Sequence, residues 1–224
     1  MRLATYNMRK GIGLDRRRDP GRVMDVINAL DSDVVVLQEA DRRLGPRPAA
    51  LPWRLIEDAS DFTPVYLADN EISLGFHGNA ILVRKGITVS APTRITLPGL
   101  EPRGAVSAVV GGQFRIVGVH LGLMRRHRRA QLAQLREALK ASDLPTAILG
   151  DFNEWSAHQG LEALENDYTV YSPGHSFHAA RPIAGLDRVA LSDGIELRDA
   201  GVAETKRTRI ASDHLPVWAD IAVA

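Results

Sequence analysis

The chain has 224 residues, with 28 Lys and Arg against 27 Asp and Glu, a formal net charge of +1 and no cysteine. That length suits one large domain with a substantial core, and without a composition break, repeat or low-complexity linker we expect a single domain over 1–224. The near-neutral balance excludes a global pull toward nucleic acid or membrane, so any electrostatic footprint is local, and the lack of cysteine excludes disulfides and thiolate chemistry.

In chain order, Arg2–Asn7 reads as a strand whose tip is an amide, Asn7. Asp19-Pro20 is a capping residue followed by proline at the first helical position, and Val23, Val26, Ile27 and Leu30 then form one apolar stripe. Asp33–Gln38 contains Val34-Val35-Val36-Leu37, apolar without alternation, which means a strand covered on both faces; Glu39 follows it. Asn79 precedes a strand at Ala80–Arg84. Arg103 precedes Ala105–Val110, which joins Phe114–His120 through the tight-turn dipeptide Gly111-Gly112.

A second helix is expected from about Arg125 to Ala141, with Leu132, Leu135 and Leu139 inward. Thr146–Gly150 is another buried strand, tipped by Gly150-Asp151-Phe152-Asn153. A short third helix is expected over residues 158–166. Leu186–Leu191 opens with Asp187 at its second position, and Pro216–Ile221 follows Ser212-Asp213-His214. Stretches 42–52 and 170–185, rich in Pro, Gly, His or Arg, read as loops, where function tends to sit. Periodicity alone supports α/β or α+β with buried sheets.

Asn7, Glu39, His120, Asp151, Asn153, Asp187, Asp213 and His214 thus bound buried runs. Carboxylates and amides suit a hard divalent cation, and histidines suit proton transfer. Convergence of these tips at one sheet edge would make a metal-assisted phosphoester hydrolysis site. Taken singly, each has an ordinary role: Asn7 in a turn, Glu39 as a loop charge, His120 in the core, Asp187 paired with Arg188, Asp213 capping a turn. Jointly they argue for a shared site. Asp151 and Asn153, two apart at a strand mouth, reach one site while Phe152 turns inward. Asp187 is placed to hold His214 in one tautomer.

Other features stay open on the sequence. Arg125-Arg126-His127-Arg128-Arg129 reads either as a phosphate-binding ridge or as a solvated first helical turn, and Arg16-Arg17-Arg18 as a partly compensated loop. Trp155 either stacks on a base or acyl chain or packs on its own loop. Arg103 is either a phosphate contact or a salt bridge. The N-terminus has no secretory h-region, and no stretch approaches the ~20 apolar residues of a spanning helix. The expectation is a soluble cytoplasmic protein without an integral membrane segment or evident obligate protein partner.

The segments ATYNMRKG, VVVLQEAD, GNAILVRKG, IVGVHLG, ILGDFNEW, GLDRVALS and SDHLPVWADI, in that order, resemble the endonuclease/exonuclease/phosphatase superfamily from residue 2 to 222. The resemblance implies a four-layer α/β/β/α sandwich, two mixed sheets face to face with helices outside, and a Mg²⁺ or Mn²⁺ site at one edge. By position it makes Glu39 the principal metal carboxylate, with Asn7 and Asp213 completing the surroundings. It makes Asp151 and Asn153 the pair orienting water and phosphoryl oxygens, and His214 with Asp187 the catalytic histidine. It makes His120 a second histidine that contacts phosphate or assists the leaving group. Asn79 resembles a substrate-side amide of the family; Arg103 and Trp155 are substrate-side candidates on the reading of the residues themselves, not from the resemblance.

Either His214 or Asp151 takes the water's proton. The implied substrate is a phosphodiester, in nucleic acid or a phospholipid-like molecule; the alternatives are a phosphomonoester or a non-catalytic binding module. No matched metal or acid-base position carries an inert side chain, which opposes the last. His120 stands where abasic-site endonucleases of the superfamily usually carry tyrosine.

Overall fold

A computed structural model of the chain describes residues 1–141, 143–156 and 159–224. The first buried run forms strand β1 (Arg2–Asn7), and the VVVL run forms β2 (Val34–Gln38) parallel to it, with Ala4 opposite Val35. Parallel neighbours need a crossover, and helix α1 (Pro20–Ala29) supplies it. As its sequence predicts, α1 is capped by Asp19, whose Oδ1 accepts from the Arg22 N–H at 2.9 Å. Helix α2 (Trp53–Ala59), short strand β3 (Phe62–Pro64) and strand β4 (Ala80–Arg84) complete the N-terminal part.

The same design recurs further on. Strands β5 (Val89–Leu97), β6 (Arg103–Val110) and β7 (Phe114–His120) form an antiparallel meander. Helix α3 (Arg125–Leu139) then crosses to β8 (Thr146–Asp151), parallel to β7. Strands β9 (Tyr168–Tyr171), β10 (Asp187–Ser192) and β11 (Ile195–Val202) follow, then the single turn of helix α4 (Thr208–Ala211) and strand β12 (Val217–Val223).

Among the described residues these strands make two six-stranded sheets, ordered β11-β12-β1-β2-β4-β3 and β5-β6-β7-β8-β10-β9. The parallel pair lies at the centre of each, and β1 and β2 face β8 and β7 across the interface. Leu3, Val34, Val36, Val106, Ile116, Leu149 and Val189 fill the space between the sheets. Val23, Ile27 and Ile56 from α1 and α2 cover the outer face of the first, and Leu132 and Leu135 from α3 cover that of the second. This is the four-layer sandwich that the resemblance implies. No described helix is long and apolar enough to cross a membrane.

The sheets approach closely where side chains are absent: a Cβ on Gly118 would lie 2.6 Å from Val36 Cγ1. Gly150 takes φ +152°, and a Cβ there would lie 1.9 Å from the Val119 carbonyl oxygen, so only glycine permits this strand end.

Residues 162–167 form successive turns rather than the expected helix, while residue 158 lies outside the described residues. The i, i+3 spacing of Leu161 and Leu164 buries both against α3. The backbone there closes i+3 bonds, Leu164 N–H to Leu161 O and Asp167 N–H to Leu164 O, instead of a helical ladder. Helix α2 and edge strands β3, β5, β9 and β11 carry no strong periodic signal. Nearly all of β5 is exposed, so its sequence has no buried face to advertise.

Candidate active site

Both parallel pairs end at one edge of the sandwich, and in open α/β sheets the carboxyl ends of parallel strands are where ligands bind. The register does the first part of the assembly. Asp151, last in β8, lies opposite His120 at the end of β7 and opposite Asp187 at the start of β10. Asn7, at the end of β1 in the facing sheet, reaches across and donates Nδ2 to Asp151 Oδ2 at 3.0 Å.

Asp151 Oδ2 is the hub of the arrangement. His120 Nε2 lies 3.4 Å and His214 Nε2 3.6 Å from that same oxygen. Asp151 Oδ1 accepts from the Asn153 N–H at 2.9 Å, and the left-handed backbone of Asn153 (φ +52°) turns the chain after that bond. The Asn153 side chain donates Nδ2 to Leu121 O at 2.8 Å, which fixes its orientation and leaves its carbonyl oxygen Oδ1 for the site.

His214 Nδ1 lies 2.8 Å from Asp187 Oδ2, the pairing expected from sequence. Ser176, which sequence reasoning missed, donates Oγ to the same carboxylate oxygen at 2.5 Å. Phe177, also missed, packs its ring 5.0 Å from the His214 ring, and Trp155 meets Phe177 edge-on at 5.9 Å. Trp155 is 61% exposed, so it presents a flat apolar surface beside the histidine.

The charge states follow from these neighbours. Burial works against a charged His214, but the carboxylates of Asp187 and Asp151 outweigh it and raise the imidazole to about 10. Burial pushes Asp151 up to about 6 against the pull of His214. His120 is held well below the usual histidine range by burial, reinforced by Arg103 and His214. Near neutral pH the site therefore holds a His214 imidazolium, an Asp151 carboxylate and an uncharged His120.

The three expected metal ligands are placed differently. Glu39, just past β2 with φ +53°, pairs its carboxylate with Lys10, and Asp213 Oδ2 forms an ion pair with Arg9 Nε at 3.2 Å. Arg9 and Lys10 both adopt left-handed backbones directly after the β1 tip, which brings their charges over these carboxylates. Among the described residues, no three His, Asp or Glu side chains stand together as a ready-made metal cage. Sequence reasoning missed Arg9 and Lys10, although both sit in the NMRKG segment that ends the strand.

On the substrate side, Asn79 is buried, donates Nδ2 to Gly104 O at 2.8 Å and keeps an unpartnered Oδ1. It ties the start of β4 to β6. Arg103 donates to Glu101 at 2.9 Å and lines a cavity of about 90 Å³ shared with Glu39 and His120.

The basic run at the start of α3 divides: Arg125, Arg126 and Arg129 are exposed, as a solvated turn would have them, while Arg128 is buried. Arg125 and Arg128 both grip Glu154, at 2.8 and 2.6 Å, and Arg129 pairs with Glu162. Arg128 and Glu154 side chains are 4% and 1% exposed, and Arg128 also donates to the carbonyls of Gly122 and Leu123. The helix start thus clamps the loop that carries Asn153 and Trp155. Arg128→Ala is expected to cost about 3 kcal/mol in urea unfolding, the low end for breaking a buried pair because Arg125 stays on Glu154.

The sequence profile of the Endonuclease/Exonuclease/phosphatase family matches residues 4–214, from β1 to the site histidine. The chain belongs to this family. Its members are hydrolases acting on phosphoester bonds. Among curated sequences, the chain is 29% identical to the uncharacterized protein YbhP of Escherichia coli strain K12, over 98% of this chain and 95% of that one. Among solved structures it resembles the mannosyl-6-phosphatase Bt3783 of Bacteroides thetaiotaomicron, with TM-score 0.78, 17% identity and 99% of each chain covered. It also resembles D. rerio TDP2 complexed with single strand DNA product, with TM-score 0.73 and 18% identity, covering 100% of this chain and 99% of that one. At these identities the structural likeness bears on the fold.

Proposed function

We propose that the chain is a divalent-metal-dependent phosphodiester hydrolase in which Asp151 takes the proton of the attacking water. One observation carries the choice of base. Asp151 Oδ2 is approached by Asn7, His120 and His214, and of these neighbours His214 is already charged between two carboxylates. An imidazolium cannot accept a proton, whereas a buried carboxylate raised to about 6 is a stronger base than an ordinary one and still ionised near pH 7.

The donor set fits a hard cation. Glu39, Asn7 and Asp213 offer only oxygen, and Glu39 and Asp213 are each met by a cationic side chain, so positive charge already belongs at both. Mg²⁺ or Mn²⁺ held by Glu39 with Asn7 and Asp213 would supply Lewis-acid stabilisation of the charge that develops on the phosphoryl oxygens.

This chain's own groups do the rest. Asp151, fixed through Oδ1 by the Asn153 N–H, aligns the water and receives its proton. His214, oriented by Asp187 and Ser176, directs Nε2–H at a phosphoryl oxygen as a charged donor. His120, being uncharged, contacts the phosphoryl group through a neutral hydrogen bond; as the bond from water to phosphorus forms, the bond from phosphorus to the leaving oxygen breaks, and that oxygen takes its proton from solvent water. The exposed ring of Trp155 offers a platform for the ester group of a nucleic acid or a phospholipid-like diester.

The rate is expected to follow a bell in pH. It rises through about 6 as Asp151 loses its proton and falls through about 10 as His214 loses its own, read as kcat/KM against pH with bis(p-nitrophenyl) phosphate. A single-limbed profile rising through the usual histidine range would make His214 the base.

A phosphomonoesterase is the second reading, favoured by the likeness to a sugar phosphatase over 99% of both chains. The two are separated by kcat/KM for bis(p-nitrophenyl) phosphate against p-nitrophenyl phosphate. The proposal expects the diester to be preferred by at least roughly tenfold, about 1.4 kcal/mol of transition-state discrimination, and a reversed preference transfers the assignment to monoesters.

A further inference from the structure

Beside the site lies the cavity that Arg103 lines; it shares Glu39 and His120 with the mechanism above and adds Arg42, Arg43, Arg47 and His77, which that mechanism does not use. It is bounded by the loop after Glu39 and by the start of β6. Five cationic side chains face it, Lys10, Arg42, Arg43, Arg47 and Arg103, against three acids, Glu39, Asp41 and Glu101.

The acids are already occupied. Glu39 is paired with Lys10, and Glu101 is shared between Arg43 at 3.3 Å and Arg103 at 2.9 Å. Asp41 is buried, and its oxygens accept from the backbone N–H groups of Leu74 and Gly75 at 2.6 and 3.3 Å. Arg42 and Arg47 are left with no carboxylate partner among the described residues. Arg47 donates Nη1 to His77 Nδ1 at 2.7 Å, which puts the ring proton of a neutral His77 on Nε2 as a further donor. Arg103 adds a buried Nε with no acceptor.

Two uncompensated guanidiniums with extra N–H donors suit a dianionic oxyanion, since the guanidinium fork matches phosphate oxygens. The cavity shares Glu39 and His120 with the cleavage site, but Asp151, Asn153, Asp187 and His214 do not line it, so it adjoins the place of the cleaved ester rather than coinciding with it.

We infer that this cavity holds a second phosphate of the substrate, so that the enzyme acts on molecules carrying a terminal phosphomonoester next to the ester it cleaves. The inference rests on the phosphoesterase reading for the cleavage, but the anion site can be measured without turnover.

The binding experiment is calorimetry of thymidine 3′,5′-bisphosphate and thymidine 5′-monophosphate with the wild-type chain, the double variant Arg42→Ala/Arg47→Ala, and Arg54→Ala as an exposed control. The wild type is expected to bind the bisphosphate at least roughly tenfold more tightly, the scale of one or two charge-assisted contacts. The double variant should bring that ratio close to one, and the control should keep it. Equal affinities in the wild type, a reading that needs no variant to fold, overturn the inference; so does a ratio that survives in the double variant.

Turnover uses thymidine 5′-(4-nitrophenyl phosphate) with and without a 3′-phosphate, scored as the ratio of kcat/KM values. No cleavage of either probe with the binding ratio intact removes the phosphoesterase reading and keeps the anion site. Equal cleavage of both with equal binding keeps the reading and removes the site.

Discussion

Asp151→Asn is expected to lower kcat for bis(p-nitrophenyl) phosphate by ~10³-fold, within the range that lost acid-base groups show, while KM moves little. The substitution keeps the shape of the side chain and removes both the basic oxygen and the negative charge. It also disturbs the hub, because the group that replaces Oδ2 faces Asn7 Nδ2 at 3.0 Å and two imidazoles within 3.6 Å. A thermal melt therefore accompanies the kinetics: a rate loss with an unchanged melting point assigns the effect to chemistry. A loss of under tenfold would remove Asp151 as the base.

Asp187→Asn separates the base, Asp151, from the charged donor, His214, in the same assay. The Asp187 carboxylate is the largest influence raising His214, so its removal lowers that imidazole and the alkaline limb of the pH profile moves down from about 10. The acid limb belongs to Asp151, which is raised chiefly by burial and only secondarily by the Asp187 charge, so it is expected to move down by less than the alkaline limb. An alkaline limb that does not move would mean that His214 is not the group lost there.

Chelation is expected to have the largest effect of all, abolishing hydrolysis with EDTA and restoring it with Mg²⁺ or Mn²⁺, because every matched ligand is a hard oxygen. Glu39→Gln should then raise the Mg²⁺ concentration needed for half-maximal rate by at least roughly tenfold, a shift typical of even outer-shell ligand changes. Lys10 is the control for the other role of that carboxylate. If the ion pair with Lys10 is all that Glu39 provides, Lys10→Ala and Glu39→Gln will shift the metal requirement alike. Full activity in EDTA would end the metal assignment.

The parts of the site that were legible in the sequence are those written in residue type at the ends of apolar runs. Asn7, Asp151, His120 and Asp187 stand at strand ends because their strands are too apolar to be anything but buried, and register then sets them side by side. His214 and Asp187 were paired correctly for the same reason. What stayed hidden depends on backbone conformation that residue type does not encode. Arg9, Lys10, Glu39 and Asn153 all take left-handed φ without being glycine, and that is what turns two cations onto two expected metal carboxylates. Ser176 and Phe177 lie in an irregular stretch with no periodic signal, so their support of Asp187 and His214 could only be seen in space. The burial of Arg128 is not legible because charge at a helix start is usually solvated, as Arg125 is here; the buried Glu154 that attracts both is remote in sequence.

The central strand β1 lies between β2 and β12, and the amino group of Met1 donates to the carbonyl of Ile221, 220 positions away. Such distant pairing carries a loop-closure entropy that the sheet contacts must offset. Ser212 Oγ, bonded to the Asn7 carbonyl, ties the His214 turn to that same closure. The two ends of the chain thus meet at the site: the imidazole is set against the Asp151 hub only while β12 is seated beside β1.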